Sequence, residues 1–350
     1  MSTIPVGLVG VSGYGGLELA RLLLAHPTFE LVQATSRAEA GKTLAQFCPH
    51  FTGTKLADLT ISAPDVDALA KECKLVFLAV PHKTAMEISH QLLKRGVKVV
   101  DFSADFRIND KEIYEEWYGC EHTRTELLPQ AVYGLPELNA DAIKKADLIA
   151  NPGCYPTSSI LGLTPALSHK LIETENIVID AKSGTSGAGR GAKVGTLFCE
   201  VHDSFKAYGL GSHRHTPEIE QEISKIAEKD ITVSFNTHLI PIDRGILATI
   251  YTKLTGDHTQ DEIQQMYEDF YAEHPWVRVL PKGTLPETRW VKGTLFCDIG
   301  IVVDPRTNRL LIVSAIDNLC RGAAGQALAN ANLMYDQPLE AGLPVAPLIP

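Results

Sequence analysis

A chain of 350 residues can bury a sizeable core and suggests about two domains. Its apolar content of 45%, charged content of 21% and net charge of −10 are ordinary for a globular protein, and the acidic balance argues against a nucleic-acid binder. No stretch reaches the roughly 18 uncharged apolar residues that span a bilayer, and the N-terminus lacks the basic start of a signal peptide, so a cytoplasmic location is expected.

Residues 6–11, VGLVGV, read as a strand, and residues 16–27, GLELARLLLAHP, as a helix stopped at Pro27. Between them Gly10, Gly13 and Gly16, with Ser12, Tyr14 and Gly15, form a strand-to-helix turn suited to a dinucleotide pyrophosphate. Glycines let backbone N–H groups approach the anion, and the helix N-terminus adds a favourable field. A second strand, residues 29–36, ends in QATSRAEAGK, with Ser36 and Arg37 where an NAD site usually carries a carboxylate. A guanidinium and a hydroxyl suit a 2′-phosphate, which favours NADP(H). Arg37 also fits as a solvated loop residue, and nearby Glu39 keeps NAD open.

Further strands are expected at 74–80, 97–103 and 147–151, with a helix at 82–96. Strand, helix, strand in this rhythm predicts a Rossmann-type α/β domain, a parallel sheet with helices on both faces. The segment NPGCYPTSS follows the last of these strands. Cys154 there is a candidate nucleophile: Pro156 suits the first turn of a helix, whose N-terminus favours a thiolate. The alternative is a small buried residue at a turn. The chain has seven cysteines, an odd number and with no C-x-x-C pair, so neither a disulfide framework nor a metal cluster is expected.

Beyond about residue 155 strands dominate, at 176–184, 231–242, 246–254, 277–281, 296–304 and 309–317, with helices near 217–228 and 259–272. This predicts an α+β domain with a mixed or antiparallel sheet. The segment GLGSHRHTPEIEQEI places His213 and His215 before a helix. Two positions apart in an extended segment they point to opposite sides, so only one can face the cysteine as its candidate proton acceptor; metal binding by the pair is the alternative, with no third ligand of suitable spacing close by. The small-residue helix at 320–335 is expected to return to the first domain, and the proline-rich tail to loop over the surface. The expected division is 1–153 plus 320–350 for the nucleotide domain and 154–319 for the catalytic domain.

The segments GVSGYGGLELARLL, DFSADFR, NPGCYPT, SGTSGAGR, HRHTPEIEQ, RGILAT and AIDNLCRGAAGQA together resemble the N-acetyl-gamma-glutamyl-phosphate reductase family, whose wider relatives are the aspartate-semialdehyde dehydrogenases. The resemblance implies reduction of an acyl phosphate with NADPH in arginine biosynthesis, through a cysteine thioester. By matched motifs it puts Cys154 in the nucleophile position and His213 in the acid/base position. It puts Asn318 by the nicotinamide carboxamide, and Ser183, Gly184 and Gly187 at the junction of cofactor and substrate. Arg107 and Glu218 become candidates for substrate contact, and a homo-oligomer, dimer or tetramer, is implied. Cys320 and Arg321 depart from the family, which often carries a bulky apolar residue and lysine there. Rival readings are an aspartate-semialdehyde dehydrogenase or aminoadipyl-phosphate reductase, a cysteine hydrolase, and a non-catalytic NADP-sensing protein.

Overall fold

A computed structural model describes residues 3–349. The chain divides into two compact units, Met1–Pro152 with Ala323–Pro344, and Gly153–Gly322 with Val345–Pro350.

The first unit is built on β1 (Ile4–Val9), β2 (Phe29–Thr35), β3 (Ile61–Ser62), β4 (Leu75–Leu78), β5 (Lys98–Asp101), β6 (Ala131–Tyr133) and β7 (Leu148–Ala150). Their order is β3-β2-β1-β4-β5-β7-β6, and every neighbouring pair is parallel. All four residues of β4 are buried, as a strand covered on both faces requires. Strand order reverses between β1 and β4, so the carboxyl ends of these two strands open the crevice where such sheets take ligands. The helix Gly325–Met334 belongs to this unit, and its small residues leave it buried nearly all round. The expected helix at 82–96 is shorter, Ala85–Leu93, because Lys83 turns to φ 76° just before it.

The second unit carries β8 (Ile177–Ser183), β9 (Lys206–Tyr208), β10 (Val233–Leu239), β11 (Ile246–Lys253), β12 (Val277–Val279), β13 (Cys297–Asp304) and β14 (Arg309–Ile316). Their order is β12-β13-β14-β11-β8-β10-β9. The sheet is mixed: β12 and β13 run parallel, as do β8 and β10, and the other pairs are antiparallel. Buried and part-exposed residues alternate along β8 and β11, so one face of the sheet is the more deeply covered.

The helix Cys154–Ser168 packs its glycine at 162 against Ile250 and Ile312 of that covered face. Pro165 inside this helix has no N–H for the Leu161 carbonyl. The Tyr271 hydroxyl donates to that carbonyl at 2.5 Å, and the Tyr267 hydroxyl donates to the neighbouring Gly162 carbonyl at 3.0 Å. Pro165 is thus tolerated mid-helix because Tyr271, of the helix Gln260–Tyr271, supplies the one missing donor.

Candidate active site

The glycine turn follows β1 at the sheet's reversal point. Gly10 has φ +93°, and a Cβ there would strike the main chain at Ala79, just past β4. Its N–H and that of Val11 both donate to the Thr35 carbonyl, at 2.9 and 3.1 Å, which ties the turn to the end of β2. The helix Tyr14–Leu24 has Gly13 as its N-cap with no side-chain cap, so its first turn is open to an anion. At the end of β2 the Ser36 hydroxyl donates to Ser12 at 3.0 Å, and the Thr35 hydroxyl is buried without a partner. Arg37 is exposed, and no other described residue holds its guanidinium. Glu39 is taken up by Lys42 at 2.7 Å. The charge left at this edge is therefore positive, as a 2′-phosphate requires.

Motif DFSADFR folds into a buried polar node in the same unit. Asp101 accepts from the Ser103 N–H and hydroxyl, at 2.9 and 2.7 Å. Asp105 accepts from the N–H groups of Lys83 and Ala85 and from the Tyr114 hydroxyl, so it caps a helix whose own N-cap residue, Thr84, makes no side-chain bond. Burial and the neighbouring Asp105 raise the Asp101 carboxyl above the usual range, against the pull of Arg107. Arg107 is itself buried; its Nε donates to the Asn151 carbonyl at 2.7 Å and its Nη2 to the Phe102 carbonyl at 2.6 Å. It braces the end of β5 against the strand exit that leads toward the cysteine.

Cys154 opens its helix in the second unit, half-buried, with Gly153 as N-cap and no side-chain cap on the first turn. Gly153 is gripped on both sides. Its N–H donates to the Glu218 carboxylate at 2.8 Å, and its carbonyl accepts from both the N–H and the hydroxyl of Thr157, at 3.0 and 2.9 Å. Gly322 passes so close that a Cβ on it would lie 2.5 Å from the Cys154 Cβ. Cys73 is the contrast: burial, then the charge of Glu72, push its thiol up to about 12, as for an inert core cysteine.

Five rings cluster beside this turn. Tyr155 meets His213, His215 and Phe235 edge-on at 5.4, 6.1 and 5.4 Å between centroids. His213 also contacts Tyr208 and His215, at 5.7 and 5.0 Å. The His215 N–H donates to His213 Nδ1 at 3.1 Å, so the neutral ring carries its hydrogen on Nε2. Burial, with Arg214 beside it, lowers His213 to about 4, which keeps the ring neutral at physiological pH. The helix Thr216–Ala227 then starts with Pro217 and places Glu218, fully buried, in its first turn.

Asn318 is also buried. Its Oδ1 accepts from the Gly245 N–H at 2.8 Å, and its Nδ2 donates to the Ser186 hydroxyl at 2.9 Å. It therefore fastens the loop at 183–190 to the one entering β11. A Cβ on Gly187 would lie 3.1 Å from the Ser183 hydroxyl and 3.6 Å from Asn318 Nδ2, and one on Gly184 would meet the Asp243 carbonyl at 2.9 Å. Both glycines of this loop are thus close-packed. The preceding residue, Asp317, is fully buried and accepts from the N–H groups of Leu319, Cys320 and Gly293.

Sequence reasoning missed Tyr155, Tyr208, Asp317 and Gly322. Tyr155 adjoins the cysteine and Tyr208 precedes the histidine block by a few residues, but only the fold brings their hydroxyls to 2.8 Å.

Two family models match: "Semialdehyde dehydrogenase, NAD binding domain" over residues 5–146 and "Semialdehyde dehydrogenase, dimerisation domain" over residues 154–318. The chain is 52% identical over 348 residues to the N-acetyl-gamma-glutamyl-phosphate reductase of Desulfotalea psychrophila, covering 99% of this chain and 100% of that one. It is 50% identical to the enzyme of the same name from Desulforudis audaxviator, with the same coverage. Among solved structures, an aspartate semialdehyde dehydrogenase II from Vibrio cholerae superimposes with a TM-score of 0.71 at 16% identity, over 96% of this chain and 99% of that one. The Candida albicans aspartate semialdehyde dehydrogenase solved with NADP gives 0.71 at 18% identity, over 97% and 99%. At these identities the two structures share the fold.

Proposed function

The chain belongs to the N-acetyl-gamma-glutamyl-phosphate reductases, within the semialdehyde dehydrogenases, and on that premise we propose that it reduces N-acetyl-gamma-glutamyl phosphate to N-acetylglutamate 5-semialdehyde through a thioester on Cys154. The observation that carries the reading is the placement of Cys154: it opens a helix, anchored through Gly153 to Glu218, and the next residue, Tyr155, packs its ring on the neutral His213.

The Cys154 thiolate attacks the carbonyl carbon of the acyl phosphate, and the carbonyl oxygen becomes an oxyanion facing the uncapped helix N-terminus. The adduct collapses, the bond to the phosphate oxygen breaks with its electron pair, and a thioester remains. NADPH, when bound, supplies the hydride that reduces this thioester. Hydride addition leaves a hemithioacetal oxyanion, to which His213 would donate a hydrogen bond from Nε2–H, because Nδ1 is occupied by the His215 N–H. The carbon–sulfur bond then breaks, releasing aldehyde and the thiolate.

The first unit fits the cofactor: Gly10, Ser12, Gly13, Tyr14, Gly15 and Gly16 would hold the pyrophosphate, and Ser36 and Arg37 the 2′-phosphate. Ser183, Gly184, Gly187 and Asn318 are assigned to the nicotinamide side, with Asn318 acting through the loop it fastens. Arg107 and Glu218 bear on the substrate by bracing the chain around Cys154.

The match to a dimerisation domain supports a homo-oligomer, dimer or tetramer, and the free cysteines support a cytoplasmic setting. Among the described residues no helix is long and apolar enough to cross a membrane.

The deciding assay runs the reaction in reverse, with N-acetylglutamate semialdehyde, phosphate and NADP+, before and after thiol alkylation. Phosphate-dependent NADPH formation that alkylation abolishes is the expected result. Turnover of aspartate semialdehyde instead would reassign the substrate.

A further inference from the structure

We propose that Asp317 is a positioning residue for the reaction: its carboxylate and its carbonyl seat the main chain of Gly322 against Cys154 and so limit where the thiol can stand. The inference rests on the function proposed above, with Cys154 as the nucleophile.

Asp317 directly follows β14 and is fully buried. A carboxylate in such a place is strongly unfavourable unless its oxygens are satisfied. Here both are. Oδ1 accepts from the N–H groups of Leu319 and Cys320, at 2.8 and 2.7 Å. Oδ2 accepts from the Gly293 N–H at 2.7 Å and faces Arg244 Nη1 at 3.5 Å. The Asp317 carbonyl accepts from the Gly322 N–H at 2.9 Å. One residue thus holds the following segment at Leu319, Cys320 and Gly322, and ties it to a turn 24 residues upstream.

That segment opens the π-helical turn Cys320–Ala324, a rare geometry that recurs at functional sites. Gly322 lies in it so close to the nucleophile that a Cβ would come within 2.5 Å of the Cys154 Cβ and 3.0 Å of the Cys154 Cα. Its main chain therefore packs directly on Cys154.

Cys154 is bounded twice. The Gly153 N–H bond to Glu218 fixes the main chain before it, and Gly322 covers one side of its Cβ. A reacting group held to about 0.5 Å of its productive position needs such walls on rigid main chain. Asp317 touches neither substrate nor sulfur in this scheme; it acts through Gly322.

Asp317→Asn keeps the shape but turns one acceptor oxygen into an NH2 group. That group faces either the Leu319 and Cys320 N–H groups or the Gly293 N–H, so the segment loses a tie whichever way the amide lies. In the reverse reaction the variant is expected to lower kcat about 10- to 100-fold, the cost of misplacing a reacting group by about 1 Å. KM for NADP+ should not move. A second readout is alkylation of Cys154 by iodoacetamide and by the bulkier N-ethylmaleimide, followed on its own peptide by mass spectrometry. With the wall relaxed, the rate ratio should shift toward the bulkier reagent at Cys154 and stay constant at the exposed Cys199. Gly322→Ala should harm kcat less in the Asp317→Asn background than alone, because the two act on one contact.

An unchanged alkylation ratio beside a lowered melting temperature makes Asp317 merely structural and overturns the proposal. So do additive effects with Gly322→Ala, or a rise in KM for NADP+ that accounts for the loss, which would route the effect through the adjacent Asn318. If Asp317→Asn yields no folded protein, Asp317→Glu, which keeps the charge and displaces the segment, should show the same kcat loss and ratio shift; failure of both to fold makes Asp317 a determinant of the fold and overturns the narrower role. If the unaltered enzyme turns over no N-acetylglutamate semialdehyde, the proposed function fails, while the alkylation ratios still report whether Asp317 seats Gly322 on the thiol.

Discussion

Glu218 and Gly153 stand 65 residues apart, yet the buried Glu218 carboxylate accepts the Gly153 N–H at 2.8 Å. One bond thus joins the turn that carries the histidines to the residue before the nucleophile. The loop bearing His213 and the helix bearing Cys154 are located relative to each other by main chain and a buried charge, not by two mobile side chains.

Replacing Cys154 with serine is expected to lower turnover by several orders of magnitude while NADP+ binding is retained. An alkoxide is harder to form than a thiolate, and an ester holds its alcohol more firmly than a thioester holds its thiol. Reverse-assay rates together with a fluorescence titration of NADPH separate the two effects. Near-normal rates in the variant would remove the covalent route.

His213→Ala should cost roughly 10²–10⁴-fold in kcat/KM, and His215→Ala much less. The pH dependence carries a second signature. Burial and Arg214 lower His213 to about 4 in the folded chain, whereas an unfolded histidine titrates near 6.5. Between those values the unfolded chain binds the extra proton, so stability is lost as pH falls from about 6.5 to about 4. Melting temperatures at about pH 7.5 and about pH 4.5 should differ less in His213→Asn than in the unaltered protein. Equal differences would rule His213 out as a source of the acid sensitivity.

Among the described residues none forms an ion pair with Arg37, so its removal should leave the fold intact. Arg37→Ala is expected to raise KM for NADP+ about 10- to 100-fold, the range of charge-assisted hydrogen bonds, with KM for NAD+ little changed. Steady-state kinetics with both nucleotides measure the ratio. A parallel rise for both would place Arg37 at the pyrophosphate.

Gly322→Ala forces a Cβ to within 2.5 Å of the Cys154 Cβ. Both partners sit on main chain that cannot swing aside, so the expected cost is about 1–3 kcal/mol of stability. The variant should melt lower and be alkylated at Cys154 at an altered rate. Unchanged melting and unchanged alkylation would mean that the two segments separate freely.

The parts of this molecule legible in the sequence are those with a local cause. The turn Gly10–Gly16 is written in residues that only a strand-to-helix turn needs, and Cys154 in a Pro-Gly before a helix. Strands β3, β6 and β9 have two, three and three residues and leave no periodic signal; they exist because a neighbouring strand already offers an edge. The same holds within the site. Asn318 stood out by its motif, but its partners Gly245 and Ser186 lie 73 and 132 residues away, beyond any spacing rule. Gly322 reads as one more small residue until the fold lays it against Cys154.

The catalytic unit runs as one unbroken stretch, Gly153–Gly322, between the seventh strand and the last helix of the nucleotide unit, apart from the tail residues. That tail aside, the chain enters this unit once, at Gly153, and leaves it once, at Gly322. A recombination with two crossover points, near 152 and 322, would exchange the thiol, the histidines and the paired tyrosines together while leaving the dinucleotide turn untouched. New acyl specificities can then arise by cassette replacement, without re-evolving recognition of the coenzyme.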